Sequence, residues 1–89
     1  MPKSVPSYPL KHIVEVFWVD SAGRSRWDTL EAYKKERPAL CKTCGYLLES
    51  TKSHVSVALS QGDSTTLRST VLDAIVIPRG CVTKIRRLT

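Results

Sequence analysis

Apolar and polar positions along this chain alternate on the scale of strands, with one short helical interlude. His12 to Val19 is a run of β-branched and aromatic residues (Ile13, Val14, Val16, Phe17, Trp18, Val19) broken only by Glu15, which predicts a buried strand. Asp20-Ser-Ala-Gly23 ends it with turn chemistry. From Trp27 to Glu36 the apolar residues Trp27, Leu30 and Tyr33 recur at helical spacing. Acidic Asp28 and Glu31 stand in the first turn and Lys34 and Lys35 in the last, as the helix dipole favours, and Pro38 sets the end.

Ala39 to Glu49 reads as a second strand, bent where Gly45 interrupts it. The cleanest alternation follows in His54 to Ser60, where Val55, Val57 and Leu59 are expected on one face and Ser56 and Ser60 on the other. Glu49 to Ser53 joins the two as a hairpin. Gln61 to Thr70 is polar and forms the longest loop. Asp73 to Ile77 is another strand, Pro78-Arg-Gly80 a tight turn, and Val82 to Leu88 a final, basic strand.

The predicted class is therefore α+β and β-rich: five to six short strands, one short helix, and a bend that suits a small barrel without exposed edges. Residues 1–11, rich in Pro and Ser, form an extended arm, and residues 12–89 a single domain, since 89 residues leave room for only one. A chain this short buries a modest share of its surface, so self-association is expected.

Composition narrows the function classes. With 42% hydrophobic and 25% charged residues the chain lies outside the range of disordered proteins. Its longest apolar run, Val16 to Val19, is far short of the roughly 20 residues that span a bilayer, and no signal-like stretch opens the chain, so a cytoplasmic protein without membrane partners is expected. Three cysteines, two of them as close as Cys41 and Cys44, argue against a disulfide framework. The net charge of +6 concentrates toward the C-terminus, in Arg68, Arg79, Lys84, Arg86 and Arg87. A basic surface of this kind attracts phosphate-bearing partners or an acidic protein.

Several residue sets carry candidate chemistry. Cys41-Lys-Thr-Cys44-Gly45 has the spacing of a zinc knuckle, with Cys81 and His54 or His12 as further ligands; the alternative places Cys41 and Cys44 on opposite faces of a strand. His12 and His54 have no nucleophile motif around them, so no enzymatic activity is expected. Arg79, Lys84, Arg86 and Arg87 are the leading anion ligands, with Arg68 on the long loop beside them. Trp27 and Tyr46 are the aromatics placed to stack on a base.

Gly45-Tyr-Leu-Leu, His54-Val-Ser-Val-Ala and Ala74-Ile-Val-Ile-Pro-Arg-Gly80 leading into Val82-Thr-Lys-Ile85 resemble the small SH3-like or Sm-like barrels. In Sm-like proteins a helix precedes a bent five-stranded barrel whose last two strands meet at a tight turn. Here an extra strand precedes the helix, and the family's RNA-binding loop motifs have no match, so no binding residue is carried over. In size and layout the chain is also similar to small proteins of phages and mobile elements, some of which sequester nucleotide signals of host defence. The resemblance and the charge together imply a non-enzymatic, homo-oligomeric protein that binds a nucleotide or single-stranded nucleic acid. The competing expectation is an interaction module or inhibitor that docks its basic patch on an acidic host protein.

Overall fold

The computed structural model describes residues 5–89, and of residues 66 and 67 the backbone. Five strands form one antiparallel sheet: β1 (Ile13–Asp20), β2 (Ala39–Ser50), β3 (His54–Gln61), β4 (Val71–Pro78) and β5 (Val82–Arg87). Their order across the sheet is β4-β3-β2-β1-β5. Each predicted strand is present, with ends moved by a residue or two. The helix α1 is shorter than its apolar spacing suggests, Leu30–Lys34 in place of 27–36, because Thr29 caps it by accepting a hydrogen bond from the Ala32 amide. The long polar loop also holds one helical turn, α2 (Ser64–Leu67), capped by Asp63.

The expected barrel is not formed. β4 and β5 lie at opposite edges of an open sheet and are not paired with each other. Strand patterning shows which residues form strands, but closure depends on how far the sheet curls, which alternation does not encode. A 3-10 turn, Arg79–Cys81, joins these two edge strands. Short as it is, it brings one end of the sheet around until Ile77, Val55, Val57, Val14 and Val16 share a single buried cluster. Trp18, Leu47, Ile75, Cys81, Val82 and Ile85 pack around it, and the Trp18 indole N–H is satisfied by Thr43 Oγ1 at 2.9 Å.

Gly45 sits where β2 runs between β1 and β3, opposite Val14 on one side. A Cβ there would lie 2.5 Å from the Ala58 carbonyl oxygen and 2.7 Å from Val57 Cγ1, so the close approach of β2 to β3 requires glycine. The register of β2 on β3 shifts between Leu47 and Glu49, a bulge just past it. Leu59, expected with Val55 and Val57 on the core face, is exposed; it lies where the β3–β4 pairing is interrupted, opposite Asp73, whose backbone is left-handed (φ 55°).

The N-terminal arm is tied down at residues 7–10. Leu10 and Gln61 exchange hydrogen bonds of 2.9 and 2.8 Å, and Ser7 bonds Asp63 and Ser64. Between β1 and β2 the chain leaves the sheet altogether. Helix α1 buries no residue, and the radius of gyration, 18.3 Å, exceeds the roughly 12 Å of a compact chain of this length.

Candidate functional site

The strongest concentration of chemistry lies on the outer face of β5, β1 and β2. Strand alternation sends Val14 and Val16 to the core, so Glu15 and Phe17 must point the other way. Register then selects their neighbours. Glu15 stands between Cys44 and Arg86, and Phe17 between Lys42 and Lys84. The ammonium groups of Lys42 and Lys84 sit 5.9 and 5.7 Å from the centroid of the Phe17 ring, flanking it from both sides.

Glu15 organises the row below. Its Oε1 accepts from Arg86 Nε at 2.7 Å and is also paired with Arg86 Nη2, while Oε2 lies 3.3 Å from Lys42 Nζ and accepts from the Cys44 thiol at 3.7 Å. The side chain is only 8% exposed, whereas both cations remain open to solvent. Burial pushes the Glu15 carboxyl up, but the hydrogen bonds and charges of Arg86 and Lys42 outweigh it and hold the pKa below the ordinary carboxylate value. The face holds three cations, Lys42, Lys84 and Arg86, against one carboxylate, so it keeps a positive surplus. The carboxylate fixes two of the three side chains in place, lowering the entropy an anion must remove on binding.

Of the sequence-predicted anion ligands, Lys84 and Arg86 belong to this face. Arg87 is one residue on and so lies on the other side of the strand, with Nε donating to the Thr89 carbonyl at 2.6 Å. Arg79 serves as a clamp. Its Nε donates to the Thr51 carbonyl at 2.9 Å, its Nη2 to Ser50 Oγ at 2.7 Å, and its backbone N–H to the Ser53 carbonyl, so the 3-10 turn is bolted to the β2–β3 turn. Arg68 closes α2 in a left-handed conformation on the loop between β3 and β4.

Trp27 is fully exposed on the segment between β1 and β2. That segment is held from within: Arg24 stacks 4.7 Å from the Tyr33 ring centroid, its Nη2 lies 3.1 Å from Asp28, and its Nε makes an ion pair with Glu36 at 3.0 Å. The Tyr33 hydroxyl donates to the Arg26 carbonyl oxygen, with the Arg24 carbonyl oxygen 3.3 Å away. Tyr46, the other predicted stacking residue, is half-buried between Ile13 and Ala58 in the sheet.

The zinc candidates do not converge. Cys41 is opposite Trp18 and Cys44 opposite Glu15, hence on different faces of β2, and Cys81 is in the 3-10 turn. His54 is occupied by Ser53 Oγ at 2.8 Å and Glu49 Oε2 at 3.3 Å in the β2–β3 turn. Among the described residues no group of three or more His, Cys, Asp or Glu side chains is placed to hold a metal ion. None of their helices is long and apolar enough to cross a membrane.

A shallow cavity of about 340 Å³ opens elsewhere, at the junction of β3 and β4, lined by Ser60, Gln61, Gly62, Thr70, Val71 and Leu72. Its lining holds no cation. Sequence reasoning missed Lys42, Phe17 and Glu15. The signal for the last two was present in the alternation of β1, since Val14 and Val16 inward forces Glu15 and Phe17 outward. Nothing local marks Lys42, which joins the site only through pairing. No protein-family model matches the chain, and comparison with the curated proteins and with the solved structures returns no match either.

Proposed function

We propose that the chain is a non-enzymatic binding protein for single-stranded nucleic acid, with the outer face of β5, β1 and β2 as its interface. The observation that carries this reading is the Phe17 ring flanked by Lys42 and Lys84, with Arg86 beside them. Bases of any identity stack on an aromatic face; here a base takes the place of one ammonium group over the Phe17 ring, and the lysines swing to the phosphates on either side of it. The face is open along the strands, which suits an extended polyanion. A small nucleotide signal, the narrower form of the same idea, calls for a concave site with cations in its lining, and the cavity at the β3–β4 junction supplies none. We read the strand order and the short turn between β4 and β5 as an opened variant of the SH3-like or Sm-like plan.

The test is fluorescence anisotropy of a labelled single-stranded oligonucleotide titrated with the protein over a range of salt. Contacts from Lys42, Lys84 and Arg86 predict that log K falls against log salt with a slope of about −2, and that the Lys42→Ala/Lys84→Ala double variant flattens the slope by about 1.4. Binding that is absent at low salt, or unchanged in the double variant, removes this reading.

A second reading, an interaction module for an acidic protein, is favoured by one observation: the fully exposed Trp27 on a pre-organised segment, the type of residue that anchors protein interfaces. Under that reading Trp27→Ala abolishes capture of the partner while oligonucleotides fail to bind at any salt.

A further inference from the structure

We infer that the nucleic-acid strand runs lengthwise along β1 and β2 and stacks on Tyr46 as well as Phe17, so that one chain covers about three to five nucleotides. The inference rests on the nucleic-acid reading and adds to it a path and a length. Pairing of β1 with β2 is unbroken from Ile13 and Tyr46 to Asp20 and Ala39, so every second residue of each strand shares the outer face. On that face Phe17 is opposite Lys42, Glu15 opposite Cys44, and Ile13 opposite Tyr46. Lys42 and Cys44 are exposed and Tyr46 is half-buried, whereas Val14 and Val16, which alternate with Glu15 and Phe17 on β1, go to the core. Phe17 and Tyr46 therefore stand at either end of the row that Glu15 organises, on neighbouring strands.

The Tyr46 row, at Ile13, is four residues along β1 from Phe17, about 14 Å at 3.4 Å per residue. A stacked single strand covers that length in about four base steps of 3.4 Å, and an unstacked one in roughly half as many, which sets the footprint. Between the rings the ligand meets positive charge. Glu15 is only 8% exposed, while Arg86 and Lys42, which pair with it, are 58% and 54% exposed, so a phosphate reaches guanidinium and ammonium there before it reaches carboxylate. The row is bounded at both ends. Past Phe17 come Val19 and Leu40, which carry no charge, and past Tyr46 the strand β1 ends at Ile13, where the Leu47 amide donates to the His12 carbonyl. A path across the strands meets only one ring, Phe17 between Lys42 and Lys84, because β3 pairs with β2 from Tyr46 onward and does not extend beside Lys42.

Cys44 reports on this path, because its thiol is exposed midway between the rings, whereas Cys41 is on the core face of β2 and Cys81 is in the 3-10 turn. The experiment combines anisotropy titration at low salt of labelled oligothymidylates from about two to eight nucleotides long with timed alkylation of the full chain by N-ethylmaleimide, read by peptide mass. Affinity should climb steeply up to a length of about three to five and only shallowly beyond it. Unlabelled pentamer at ten times its Kd should slow alkylation of Cys44 about tenfold and leave the rates at Cys41 and Cys81 as they are. Tyr46→Leu should weaken pentamer binding about fivefold or more, while Tyr46→Phe, which keeps the ring, binds as the parent does. Cys44 protection is measured on the parent chain and so decides the path even where Tyr46→Leu fails to fold. Absence of binding at every length removes the nucleic-acid reading and this inference with it. Binding that leaves Cys44 equally open, that levels off at two nucleotides or still climbs steeply at eight, or that is the same in a folded Tyr46→Leu overturns the lengthwise path alone.

Discussion

The sheet and the segment that leaves it between β1 and β2 are both ordered, but by different physics. In the sheet, Val16, Val55, Val57 and Ile77 are removed from water almost completely, and burial of that apolar surface is the main stabilising term. In the segment, helix α1 buries nothing, Leu30 and Trp27 face solvent, and order comes from the Arg24 guanidinium set among Tyr33, Asp28 and Glu36. Polar contacts at a surface contribute little net free energy each, so they hold a shape without adding much to global stability. The difference implies a molecule that can lose one region and keep the other.

The largest effect should come from the sheet. Ile77→Ala empties a site that is 1% exposed and is expected to lower unfolding free energy by about 2–5 kcal/mol, read by urea denaturation. Gly45→Ala follows at about 1–3 kcal/mol, since its Cβ meets the backbone of Ala58, which cannot turn aside as a side chain would. Arg79→Ala tests the clamp between the 3-10 turn and the β2–β3 turn. Loss of its bonds to Thr51 and Ser50 should cost about 1–3 kcal/mol, with hydrogen exchange rising first at the β2–β3 turn.

Arg24→Ala sharpens the comparison from the other side. Amide protection within residues 24–36 should vanish while the midpoint of global unfolding stays within about 0.5 kcal/mol of the parent. A large fall in global stability would show that the segment is part of the cooperative unit after all.

The smallest effect concerns pH. The folded Glu15 carboxyl sits below its unfolded value of 4.5, so its contribution to stability is present above that pH and is lost as pH falls through the folded pKa. Melting temperature of the parent should therefore drop more steeply below pH 4.5 than that of Glu15→Gln. Equal slopes would mean that the Arg86 and Lys42 contacts do not persist in solution.

Much of this was legible in the chain. The β-branched runs of β1 and β3, the break at Gly45 and the Pro78-Arg-Gly80 turn mark the strands and their joints, because each is a local property of backbone preference. The site was less legible. Lys84 and Arg86 stand out as charge near the C-terminus, yet Arg79, equally conspicuous, is a structural clamp, and Lys42 lies far from them in sequence and beside them in space. Charge is visible in a sequence; its partner is not. The Cys41 and Cys44 spacing behaves likewise, since two thiols three residues apart share a metal in a turn and point apart in a strand.

By itself the amino-acid sequence determined the β-rich class, the positions of the five strands and the cationic end, since alternation, turn chemistry and charge are written residue by residue. Only the tertiary structure decided that the sheet stays open, that β1 sits between β2 and β5, and that Phe17 is flanked by Lys42 and Lys84. Those are matters of register and curl, set by which strands find each other across many residues, and no short window of sequence contains both members of such a pair.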